Sequence, residues 1–256
     1  SGEWGMIHRY FEGPGQIDTE SITDQSGNIS VKGDTKWTFE TSDRIMSTPA
    51  VKYGNIYFGT RDNRLLALDK NTGSVIWQYD TPVQIDSSPA VGGGMVFIGT
   101  HASKILALDA INGELQWEFT TSGNPIIGAP IVKDGVVYVG SGDHSLYALD
   151  ALTGTKLWSQ KTMDWITNTP TISGDILALA SLDGRVTTYD IKTGKRRFTF
   201  MGFNHMVMAS PIIVDNSIYV SYRHGTMVSI NLDEEEVLFQ SRLYRLQIQL
   251  WIWAMG

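Results

Sequence analysis

Four of the five histidines, five arginines and one tryptophan stand out as side chains able to bind or react: His101, His144, His205 and His224; Arg44, Arg61, Arg64, Arg185 and Arg223; and Trp165. All ten fall in short polar stretches between apolar runs, where loops are expected. An imidazole can ligate a metal or move a proton near neutral pH, a guanidinium can grip a carboxylate with two parallel bonds, and an indole offers a large flat contact. Zinc needs three or four ligands about 2 Å from one point. His101, His144 and His224 lie at different offsets within their loops, so no shared metal is expected of them. The set reads instead in two ways: as ordinary polar loop tips, the favoured reading, or as a cationic and aromatic rim suited to an acidic peptide or a carboxylate. No Gly-x-Ser-x-Gly elbow, His-Glu-x-x-His pair or phosphate-cradling glycine loop is present, so no residue is assigned a catalytic, cofactor or metal role.

The chain has 256 residues, enough for one large all-β domain. A formal charge of −7 argues against a nucleic-acid partner, which asks for a basic face. There is no cysteine, which excludes disulfides, thiolate catalysis and cysteine-ligated metals. No apolar run reaches the roughly 18 residues of a spanning helix, and no basic-then-apolar leader opens the sequence.

The elements that must position the rim repeat. Trp37, Trp77, Trp117, Trp158 and Phe198 are spaced 40, 40, 41 and 40 residues apart, the length of a four-stranded propeller blade. Each unit opens on a proline block (Pro49, Pro89, Pro130, Pro170, Pro211), expected on the innermost strand because proline cannot donate to a ladder on both sides. A continuously apolar run follows, such as Val96-Phe97-Ile98-Gly99, as in a strand buried on both faces. The last two strands are joined by a turn in which Asp bonds its own backbone and Gly takes a positive φ, with the aromatic wedged between blades. Too few acids occur per turn for calcium, which needs six or more oxygens.

The string Ala-x-Asp-x-x-Thr-Gly-x-x-x-Trp stands at Ala67 to Trp77 and Ala148 to Trp158, with Asn112 replacing Thr in the copy from Ala107 to Trp117. It resembles the tryptophan-docking motif of the PQQ-like propeller repeat family, over residues 37 to about 239. The opening Trp4-Gly5-Met6-Ile7-His8 is similar to the leader of many extracytoplasmic members. The resemblance implies a β-propeller, a periplasmic, cell-surface or secreted location, and a scaffold role of the BamB type. It also brings two alternatives, a quinoprotein-type dehydrogenase and a sensor domain cut from a larger receptor or kinase. Quinoprotein members have about eight blades, a vicinal cysteine pair and a calcium shell. This chain has no cysteine, and neither PQQ nor calcium is expected.

The expected architecture is one domain over 1–256: a leader at 1–27, repeats at 28–239 and an atypical strand at 240–256. Complete units are placed at 45–79, 85–119, 126–160, 166–200 and 207–239, with 28–40 as the last two strands of another blade. Either the ring has six blades, one built from both termini, or the chain is a truncated piece of a seven- or eight-bladed propeller. The second reading is favoured. It implies an exposed apolar blade edge and self-association through it. Met201, Met206 and Met208 beside Phe203 and His205 read as gap-filling core. The partner expected on the loop face is a protein or peptide.

Overall fold

A computed structural model describes residues 35–202, 206–207, 209–233 and 237–242. Strands β1 (Ala50–Lys52), β2 (Asn55–Gly59), β3 (Arg64–Asp69) and β4 (Val75–Asp80) form the first antiparallel sheet, in that order. The second holds β5 (Ala90–Gly92), β6 (Met95–Gly99), β7 (Lys104–Asp109) and β8 (Leu115–Thr120). The third holds β9 (Ile131–Lys133), β10 (Val136–Ser141), β11 (Ser145–Asp150) and β12 (Lys156–Lys161). The fourth runs through β13 (Thr171–Ser173), β14 (Ile176–Ala180), β15 (Val186–Asp190) and β16 (Arg196–Phe200). The fifth runs through β17 (Ile212–Val214), β18 (Ser217–Tyr222), β19 (Thr226–Asn231) and β20 (Val237–Arg242). These are the five expected blades.

The five prolines stand immediately before the first strands rather than within them, so each three-residue edge strand begins where amide donors resume. First strands of neighbouring sheets adjoin, as β1 does β5 and β5 does β9, which places them innermost. Second and third strands are buried on both faces, as in Met95–Gly99 of β6.

The core lies between blades. Tyr57, Leu65 and Trp77 of the first meet Val96, Leu106 and Leu108 of the second in one cluster. Phe97 and Trp117 meet Val139, Tyr147 and Leu149 in the next. Large side chains such as Tyr57 and Phe97 are fully buried, each worth about 1.5–3 kcal/mol of apolar transfer. On the other face of the first blade, Trp37 and Phe39 pack against Phe58, Leu66 and Leu68.

The repeat motif accounts for this packing residue by residue. Trp77 is paired across the strands with Ala67, Trp117 with Ala107 and Trp158 with Ala148, so the alanine leaves room for an indole. A register shift follows each alanine. Asp69 Oδ1 then accepts the amides of Asn71 and Thr72, both at 2.8 Å, and Gly73 closes the turn at a φ of 74°. Asp109, Asp150 and Asp190 repeat the pattern. In the fifth blade Asn231 takes the aspartate's place and accepts the amide of Asp233 at 2.8 Å. Of the expected extra blade, 35–40 carry no strand, and 28–34 and 243–256 lie outside the described residues. The terminal edge proposed for self-association lies there too.

Candidate functional site

The ends of the second strands and the segments leaving the fourth strands share one face, and a repeating set of backbone bonds holds them. The amide of Arg61 donates to the carbonyl of Arg44, and Gly142 to Pro125, Leu182 to Trp165 and Arg223 to Met206 do the same, at 2.9–3.1 Å. The second copy, His101 to Gln84, is longer at 3.4 Å. Each loop between second and third strands is thereby tied to the segment arriving from the blade before. Thr81, Thr121 and Thr162 add amide bonds of 2.7–2.9 Å to Asn63, Ser103 and His144 of their own blades. Beneath them Ile85, Ile126 and Ile166 seat on Gly59, Gly99 and Gly140, where any Cβ would stand 2.1–2.3 Å from an isoleucine methyl. The rim is therefore a fixed surface carried by the blades.

On it, one cluster crosses a blade boundary. Arg61 Nε and Nη2 bond the two oxygens of Asp86, each at 2.8 Å. His101 Nε2 lies 3.0 Å from Asp86 Oδ2, and its Nδ1 faces the Gln84 amide at 3.4 Å. The bond from Arg61 holds the Asp86 carboxyl below the usual carboxylate range, against the opposing effect of burial. Gln84 and Asp86 are absent from the rim read from sequence, and they are what brings Arg61 and His101 together. The sign in the sequence is an acid just before Ser87-Ser88-Pro89, where the other blades carry Met46, Ile127, Thr167 and Met208.

Three of the four remaining rim arginines are also met by acids, Arg223 being the exception among the described residues. Arg64 pairs with Asp62, which Ser42 holds as well at 2.6 Å. These bonds, led by Arg64, push the Asp62 carboxyl well down. Arg185 pairs with Asp183, and Arg44 lies 3.7 Å from Asp43. Asp143 has no arginine at the matching place. Burial pushes its carboxyl up, but bonds from the Tyr147 hydroxyl at 2.5 Å and the Ser122 amide at 2.9 Å outweigh it.

The sequence family described as outer membrane protein assembly factor BamB matches residues 23–129 and, in a second overlapping span, 83–247. The chain belongs to the BamB family. Among solved structures, it is similar to BamB from Moraxella catarrhalis, at 22% identity and a TM-score of 0.72 over 82% of this chain and 67% of that one. A computationally designed protein, Ika8, aligns at 16% identity and a TM-score of 0.70, over 77% of this chain and 61% of the design. A europium-containing methanol dehydrogenase aligns at 16% identity with the same score, over 81% and 53%. At such identities these likenesses show the propeller fold alone. This chain spans about two thirds or less of each of those lengths. No curated protein matches it in sequence.

In this BamB-family propeller the sequence-picked residues spread over every described blade. Arg61 and His101 meet through Asp86. His144 stands at a positive φ of 67° in the third blade, and its carbonyl accepts the Thr162 amide and hydroxyl. Trp165 is half-buried with its amide on Asp164 Oδ1 at 2.7 Å. His224 Nε2 lies 2.7 Å from Thr226 Oγ1, and Arg223 is exposed beside Met206. His205, Phe203 and Met208 lie outside the described residues. The expectation of buried methionines is corrected, since Met201 and Met206 are both exposed. They lie past the end of β16, in the segment between β16 and β17. Among the described residues no three His, Asp or Glu side chains converge as a metal site. No helix among them is long and apolar enough to cross a membrane.

Proposed function

We propose that the chain is a non-catalytic platform outside the cytoplasm, binding a protein or an extended peptide on its loop face. One observation carries this reading: three carboxylates of that face are each spent on neighbouring cations rather than turned toward a common point. Asp62 is held by Arg64, Asp86 by Arg61 and His101, and Asp183 by Arg185. A quinone-calcium site would need several oxygens turned toward one point. Here the carboxylates of the loop face point to separate partners, so the residues present do not fit that group. Family membership supports the scaffold role and the extracytoplasmic location. The dehydrogenase likeness supports the competing enzyme reading only through the shared fold.

The test is photo-crosslinking from probes placed at Trp165 and His144, with a probe at Leu152 on the outer edge as control. Crosslinks to one partner confined to the loop-face probes support the proposal. Saturable calorimetric binding of PQQ with calcium would instead favour the dehydrogenase reading.

A further inference from the structure

The second rung of the blade interfaces is broken at one place. One register step beyond each docking aromatic stand Tyr79, Phe119, Gln160 and Phe200. Three of these are aromatic and pack across to the following blade, as Phe119 does on Tyr147 with ring centroids 5.4 Å apart. Across from them the next blades present Leu106, Tyr147, Thr187 and Val228. Among these four junctions, the one between the third and fourth blades alone has polar residues at both positions, Gln160 and Thr187, and Thr187 forms part of a cleft wall. A cleft of about 450 Å³ opens there, within the range of ligand pockets.

Its lining is specific. Lys161 and Thr162 come from the third blade, and Ser181, Arg185, Thr187, Tyr189, Arg196 and Thr199 from the fourth. Thr187 and Thr199 hydroxyls lie 3.3 Å apart on the same wall. Lys161 Nζ bonds the Asp143 carbonyl at 3.0 Å, and Arg185 is shared with Asp183. Arg196 is exposed and makes no ion pair among the described residues. Three cations thus surround a hydroxyl-rich cleft with Asp183 as the acid beside it, in a chain of net charge −7. Met163 and Met201, 71% and 64% exposed, stand at its mouth as adaptable apolar contacts.

We infer that this cleft binds a partner's extended peptide through one acidic side chain, with an adjoining apolar side chain on the two methionines. This names the partner chemistry within the platform function and rests on that reading. The cations supply charge-assisted bonds to a carboxylate, and the methionines explain why a peptide fits better than a small dicarboxylate, which would leave them bare.

A fluorescein-labelled Gly-Leu-Glu-Leu-Gly peptide with a blocked C-terminus and its Gln twin serve as probes in fluorescence anisotropy on the whole chain. The Glu peptide should bind saturably, and the Gln twin about tenfold or more weakly. Arg196→Glu should weaken the Glu peptide about tenfold. Thr187→Leu, which restores the residue of the first two blades, should abolish binding while keeping or raising the urea midpoint. Equal binding of both peptides, no binding of the Glu peptide, or indifference to Arg196→Glu overturns the inference. Displacement by glutarate at the same concentration as unlabelled peptide also overturns it. Loop-face crosslinks that form in the parent chain and persist undiminished in Thr187→Leu, or that form although the parent chain does not bind the Glu peptide, sink the cleft and leave the platform standing. Absence of both crosslinks and peptide binding in the parent chain sinks both, whereas loss of both in Thr187→Leu alone supports the cleft.

Discussion

The indole of Trp77 lies flat on Gly113 of the following blade, where a Cβ would stand 2.6 Å from the ring's Cδ2. The same contact recurs for Trp37 on Gly73, Trp117 on Gly154 and Trp158 on Gly194. Each ring also donates its Nε1–H to a carbonyl of that turn: Lys70, Ala110, Ala151 and Ile191, at 2.9–3.2 Å. The glycine is thus required twice, for its positive φ and for the ring against it.

Gly113→Ala should therefore cost about 2–4 kcal/mol, the sum of left-handed strain and a displaced indole. Gly54 has a similar φ of 82° but open space around it, so Gly54→Ala should cost only about 1 kcal/mol. Urea unfolding of the two variants separates the contributions, and equal losses would show that the ring plays no part.

Replacing the rungs should expose an inequality between them. Ala110 O receives the Tyr57 hydroxyl at 2.9 Å as well as Trp77 Nε1 at 3.1 Å. At the next interface Phe97 stands where Tyr57 does, so the Trp117 bond to Ala151 O has no hydroxyl beside it. Trp117→Phe should be about 1 kcal/mol more damaging than Trp77→Phe, because it leaves a buried carbonyl poorer by its side-chain donor. The two urea midpoints decide it, together with Tyr57→Phe in the Trp77→Phe background, which should remove the difference.

Acid should act through Asp86. Its folded pKa is depressed, so its contacts stabilise the chain above the unfolded value of about 4 and are lost as pH falls through the folded one. The groups facing it are Arg61 and His101, both able to carry positive charge and left to repel once Asp86 is protonated. Asp86→Asn should be less stable than the parent at pH 7, and the two urea midpoints should approach each other toward pH 2. A gap that stays constant across that range would contradict this account.

Support of the rim can be tested from below. A Cβ on Gly99 would meet Ile126 Cγ2 at 2.3 Å and its carbonyl oxygen at 2.9 Å, without any unusual φ. Gly99→Ala should cost about 1–3 kcal/mol by overpacking and should speed proteolysis within residues 121–126. Unchanged cleavage of that segment would show that the loop is held by its backbone bonds alone.

The blades were legible because their causes are local. An Asp–Gly turn, an alanine facing an indole and a continuously apolar strand each need only neighbours in sequence, repeated at fixed spacing. The charge of the rim was not legible. Arginines at loop tips look like a cationic surface until Asp86 is found to reach Arg61 from another segment, a pairing set by how adjacent blades meet. Met201 was misjudged for a related reason, because its burial depends on what lies across from it. Gln160 was visible all along as a break in an aromatic register, but its meaning needed Thr187 on the facing blade.

The hand-over of each indole to the next turn spans nearly the same stretch of chain every time, from Trp37 to Lys70, Trp77 to Ala110, Trp117 to Ala151 and Trp158 to Ile191. Excising one whole copy from the middle would bring a ring and an acceptor from unrelated copies into the same relation they had before. Unequal recombination between copies can therefore lengthen or shorten such a chain without creating a mismatched junction.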